Sequence, residues 1–105
     1  MLDQVYDAIA DPTRRTILGI LAEGELNVGS LAERFPISLN GVSKHVKVLE
    51  RAGLVRRTVR GRTHHCRIEP ARLAQAQRWL AFYQRLRNDR LDALDALLVP
   101  GPKPR

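Results

Sequence analysis

At 105 residues the chain is sized for one domain that buries roughly two thirds of its unfolded surface, and 44% hydrophobic with 28% charged residues is the balance of a globular protein. A formal charge of +7 and an isoelectric point near 10.7 call for nucleic acid or another polyanion as partner. No apolar run nears the roughly 20 residues that span a bilayer, the acidic, amphipathic start MLDQVYDAIADPTRR does not read as a secretory signal, and the single Cys66 has no disulfide partner within the chain, so the expected setting is cytoplasmic, without a membrane.

Leu2, Val5, Tyr6 and Ile9 recur at helical spacing and predict a first helix over about residues 3–10, too short to be stable alone. Asp11 then offers an N-cap and Pro12 suits a first helical turn. A second helix follows, with Ile17, Leu18, Ile20 and Leu21 on its apolar face as far as Ala22, and Gly24 stops it. Asn27 is the next cap, leading a short helix over residues 28–34 with Val28, Leu31, Ala32 and Phe35 inward; Pro36 turns the chain out of it.

The next stretch, SLNGVSKHVKVLER over residues 38–51, has the clearest division of faces. On a helical wheel Val42, Val46 and Leu49 fall on one side, and Asn40, Lys44, Lys47 and Arg51 fall opposite. Ser38 is its N-cap and Gly53 sits where a helix C-terminus is closed. Two helices joined by a tight turn, the second polar on its outer face, make a helix-turn-helix. LVRRTVRGRTHHCRI follows, two β-branched runs flanking an Arg60-Gly61 turn, and reads as a hairpin over residues 56–68. From Ser38 to Ile68 there are eight lysines and arginines against one acid, Glu50, so the whole formal excess of the protein lies on one helix and one hairpin. That concentration is an electrostatic footprint for a polyanion rather than a general aid to solubility.

Glu69-Pro70 starts the longest predicted element, residues 71–98, with Leu73, Trp79, Leu80, Phe82, Tyr83 and Leu86 in one apolar band and Leu91, Leu94, Leu97 and Leu98 in another. A continuous helix of that length runs about 42 Å, more than a compact domain with a radius of gyration of about 13 Å can cover. It must bend back or meet a second chain. A homodimer built on the first and last helices is favoured, with Val5, Tyr6, Ile9, Trp79, Phe82, Tyr83, Leu86 and Leu94 at the interface. Residues 1–99 are expected to form the domain, and 100–105, rich in Pro and basic residues, a disordered tail.

The segments ADPTRRTIL, LAERFPISLNGVSKHVKVLERAGLV and VRGRTHHCRIEP, in this order and spacing, resemble the winged-helix regulators of the ArsR/SmtB family over nearly the whole chain. The resemblance implies a mainly α fold with a small β-hairpin wing, a dimer, and a transcription regulator whose fourth helix enters the major groove. Metal-sensing members carry a pattern like ELCVCDL; here the stretch reads ELNVGSL, with Asn27 and Gly29 where thiolates would stand. Neither supplies the soft donor that thiophilic metals select. The last helix has no His or Cys, so the resemblance is to the branch without metal sensing, and no cofactor or metal site is expected.

Within that frame Lys44, Lys47, Arg56, Arg57, Arg60 and Arg62 are expected on phosphates or in the minor groove, with Arg51 on the same polar face. Asn40 and Ser43 are the candidates for base edges, near Ser38. Gly41, which costs about 1 kcal/mol in a helix interior relative to Ala, suggests a close backbone approach to DNA. His45 lies between faces and reads as a packed, hydrogen-bonded residue. His64, His65 and Cys66 look like a ligand cluster, but strand alternation sends His65 to the opposite side from the other two. An unidentified small-molecule or redox effector is left open, with Cys66 and the Trp79, Phe82 and Tyr83 group as its candidate sites. The competing reading is a non-specific architectural DNA binder. Enzyme chemistry finds no nucleophile with a base, no paired carboxylates and no phosphate loop.

Overall fold

The computed structural model describes residues 2–98, with side-chain surroundings described as far as residue 90. The elements run α1 (Leu2–Ile9), α2 (Pro12–Leu21), β1 (Leu26–Asn27), α3 (Val28–Ala32), α4 (Leu39–Arg51), β2 (Val55–Arg60), β3 (Thr63–Ile68) and α5 (Ala71–Leu98). Each of the three expected caps operates. Asp11 accepts the Arg14 backbone N–H at 3.0 Å, Asn27 that of Ser30 at 2.8 Å, and Ser38 that of Gly41 at 3.0 Å. A cap of this kind is worth about 1 kcal/mol. The hydrogen bond from the Arg14 N–H outweighs desolvation and, with the nearby Arg14 charge adding a smaller effect, holds the Asp11 carboxyl below its ordinary value.

α4 closes on Gly53, whose φ of 78° is the left-handed conformation that glycine adopts without strain. The Gly53 N–H donates to Glu50 O and the Leu54 N–H to Leu49 O, each at 3.0 Å, which is a Schellman closure. A Cβ at Gly53 would crowd the Arg72 side chain, which would have to move aside, so it is the backbone conformation that reserves the position for glycine. The core gathers Val5 and Ala8 of α1, Ile17, Leu18 and Leu21 of α2, Val28 and Leu31 of α3, and Val42, Val46 and Leu49 of α4. Ala52 after α4, Leu54, Val55 and Cys66 at the hairpin base and Ala76 of α5 complete it.

The sheet has three strands, ordered β1-β3-β2, both pairings antiparallel. β1 is a two-residue strand absent from the sequence reading; it sets Leu26 opposite Cys66 and Asn27 opposite His65, fastening the hairpin to the helical body. Between β2 and β3 the register runs from Val55 opposite Ile68 to Arg60 opposite Thr63, leaving Gly61 and Arg62 as a two-residue turn. Gly61 has φ 64° and Arg62 does not, which is the type II′ pattern.

α5 is unbroken from Ala71 to Leu98, so of the two alternatives for so long a helix the bend back does not occur. Its N-terminal part meets the body, with Ala76 in the core and Leu73 packed against it. Tyr6 Oη donates to Ala76 O at 3.5 Å and its ring meets Trp79 edge-on at 6.4 Å, while Trp79 stacks on Tyr83 at 5.5 Å. Trp79, Phe82, Tyr83 and Leu86 are each about half exposed, and Tyr6 and Ile9 partly so. Val5, expected at the interface, is instead only 2% exposed in its own chain's core, because it faces the body one turn from Ala8. Leu94 and the expected tail lie outside the described residues.

Candidate nucleic-acid interface

α4 presents the division of faces that its sequence sets up. Val42, Val46 and Leu49 are fully buried, and Asn40, Lys44, Lys47 and Arg51 are exposed on the far side. Ser43 is partly buried at the edge facing the hairpin, and the Ser38 hydroxyl is engaged by its cap. α4 is also held from behind. Arg14 donates from Nε to Ala8 O at 2.6 Å and from Nη2 to Asp7 O at 3.0 Å, while its Nη1 lies 3.2 Å from His45 Nδ1. Asp11 Oδ2 is 3.9 Å from the same His45 nitrogen. His45 is thus a buttress between α2 and α4. Arg14, for which helical periodicity gives no role, closes α1 and touches α4 at once.

The hairpin carries its cations on two faces. Arg56 and Arg60, each 61% exposed, lie on the outer face with acidic neighbours: Glu69 is 3.3 Å from Arg56 and 3.4 Å from Arg67, and Glu25 is 3.4 Å from Arg60 and 3.7 Å from His65. Exposed pairs of this kind are worth at most about 1 kcal/mol and are screened by salt, so they orient the arginines without withholding them from a phosphate. Glu25 and Glu69 were not singled out from sequence, since only the tertiary register sets them beside the hairpin. Arg62 and Gly61 form the exposed tip.

Arg57 is placed differently from the other expected contacts. It alternates onto the inner face with Val55, opposite Cys66, and its side chain is only 13% exposed. Its Nη2 lies 3.5 Å from Glu50 Oε1 and its Nη1 3.4 Å from His64 Nδ1. Cys66 beside it is fully buried; desolvation raises its thiol pKa, the Arg57 charge opposing. His64, though on the same face of β3, lies beyond the core and is exposed. Among the described residues no three His, Cys, Asp or Glu side chains form a group that could hold a metal ion. A groove of about 530 Å³ separates α4 from the hairpin.

A short helix delivering a second one with a buried apolar back and a cationic front, flanked by a basic two-stranded wing, defines a winged helix-turn-helix DNA-binding protein. A helix-turn-helix domain family matches residues 9–58. The HTH-type transcriptional regulator Rv2034 of Mycobacterium tuberculosis is 43% identical over 72 residues, 69% of this chain and 67% of that protein. The transcriptional repressor SdpR of Bacillus subtilis is 41% identical over 54 residues, 51% of this chain and 60% of that protein. The crystal structure of an ArsR family transcriptional regulator superposes with a TM-score of 0.78 at 38% identity, covering 83% of this chain and 90% of that one. The chain belongs to the ArsR family of winged helix-turn-helix transcriptional regulators, and it is a DNA-binding protein of that kind.

Proposed function

We propose that the protein is a homodimeric, cytoplasmic repressor that reads a specific operator, with α4 in the major groove and the β2–β3 hairpin along the backbone. The observation that carries this reading is the exposed row Asn40, Lys44, Lys47 and Arg51 on a helix whose opposite side is wholly buried. Repression is supported by the likeness to SdpR, and the dimer by the aromatic face left open on α5. Asn40 and Ser43 face base edges; Lys44, Lys47, Arg51, Arg56, Arg60 and Arg62 face phosphates; Ser38 orders the helix end that approaches them. The repressor works without a metal, since Asn27 caps α3 where metal-sensing relatives in the resemblance carry a thiolate. Release from DNA then falls to a small-molecule or redox effector.

The test is a titration of the DNA upstream of the gene against a scrambled duplex of equal length, with and without a chelator. Preference of about 10³ or more that ignores the chelator is expected; equal binding to both duplexes would make the protein an architectural binder instead. Asn40→Ala should relax discrimination by about 1 to 3 kcal/mol at one position per half-site. Arg60→Ala should weaken binding to all duplexes alike and flatten the salt dependence by about one unit.

Gly41 supplies a separate check. A Cβ there would meet Ser38 Oγ at 3.4 Å and Ile37 Cδ1 at 3.5 Å, ordinary contacts, so nothing inside the protein demands glycine. Gly41→Ala should raise stability by up to about 1 kcal/mol while weakening operator binding, because the added methyl stands between backbone and DNA. A more stable variant with unchanged affinity would remove the close approach.

A further inference from the structure

Among the described residues, the exposed large apolar side chains away from α5 are Ile37, Leu39 and Val59, and all three border the cationic face. None belongs to the core or to the partly buried side chains packed on it. Ile37 lies against the first turn of α4, its Cδ1 3.5 Å from where a Gly41 Cβ would stand. Leu39 is the most exposed of the three at 57%, and it opens α4 directly after the Ser38 cap. At helical spacing Leu39, Ser43 and Lys47 form one row, and all three line the groove beside the hairpin. Asn40 stands next to that row on the exposed face. The leading end of α4 therefore presents an isobutyl group, a hydroxyl and an amide side by side. Base edges in a major groove carry hydrogen-bonding groups at every pair but a single kind of apolar group, the C5-methyl of thymine. An isobutyl group set beside Asn40 and Ser43 has that methyl as its matching partner, since a phosphate offers it nothing.

We infer that Leu39 is a specificity-determining residue that packs against a thymine methyl beside the base read by Asn40. The inference rests on the proposed reading of α4 as the helix in the major groove, and deepens it: the amide and the hydroxyl select by hydrogen bonding, whereas Leu39 selects by a methyl group alone. Each half-site then contains one thymine that a base of identical pairing cannot replace without loss.

The operator is first isolated with the whole natural chain, by selection from a pool of random duplexes. Each thymine of a half-site is then replaced singly by deoxyuridine, which pairs as thymine does but lacks the methyl. The natural chain, Leu39→Met and Leu39→Ala are titrated on every duplex. One thymine per half-site should be methyl-sensitive, its replacement weakening the natural chain about fourfold, the worth of one buried methyl group. Leu39→Met, which keeps an apolar side chain, should show the same loss, and Leu39→Ala should no longer distinguish the two duplexes. Because Leu39 carries no charge, Leu39→Ala should bind random duplex as the natural chain does and keep its salt slope. Methyl sensitivity that survives in Leu39→Ala assigns the methyl to another side chain and overturns the inference. Specific binding that ignores every thymine methyl overturns it as well, and in both cases the reading of a specific operator stands. If the selection enriches no sequence, that reading itself falls and the inference falls with it.

Discussion

Phe82→Glu is expected to separate the protein into folded monomers and to lower operator affinity by two or more orders of magnitude. Phe82 is 55% exposed, with Trp79, Tyr83 and Leu86 around it at 45–47%, so four large apolar side chains share one face of α5. A monomer rarely leaves so contiguous an apolar band in water, and two-fold pairing brings each band against its own copy. A carboxylate placed there is introduced twice by symmetry, and an uncompensated buried charge costs about 3–5 kcal/mol. The chain's own core does not contain Phe82, so the monomer keeps its fold. Two half-sites can then no longer be held together, and the loss of linked binding is worth a factor of about 10² to 10⁴. Sedimentation equilibrium reads the first effect and duplex titration the second; an unchanged dimer would move the interface off this face.

Leu49→Ala is expected to cost about 2–5 kcal/mol of stability, a large share of the 5–15 kcal/mol typical of a domain. Leu49 is fully buried on the inner side of α4, in one core with Ile17 of α2 and Leu31 of α3. Leu39 on the same helix is 57% exposed, so Leu39→Ala should change stability by no more than about 0.5 kcal/mol. Urea denaturation of the pair measures the contrast. Similar midpoints would mean that α4 is not seated as described.

The parts of this fold that were legible in the sequence are those set by short-range chemistry. Ser38, Asn27 and Asp11 name helix starts because a short side-chain oxygen at that position reaches the unpaired N–H groups of the first turn. Gly61 and Gly53 mark the turn and the helix end because both need positive φ. What was hidden depends on long-range register. β1 is two residues long, too short for any alternation to show, and exists only because β3 passes beside it. Helical spacing put Val5 with Tyr6 and Ile9 but does not say which part of an apolar face meets the same chain and which a partner. Charge alone groups Arg57 with the exposed cations of the hairpin, whereas strand alternation from Val55 places it inward, as the structure has it.

The burial of Cys66 has a practical consequence. As the chain's single thiol, fully enclosed at the hairpin base and kept protonated by that enclosure, it reacts with an alkylating reagent only in those moments when the sheet lifts from the helices. Its labelling rate is therefore an internal clock for opening of the wing, slowed about tenfold for every 1.4 kcal/mol that holds the hairpin down. DNA laid across the groove should stop that clock, and a ligand that loosens the hairpin should speed it, with no probe added to the protein.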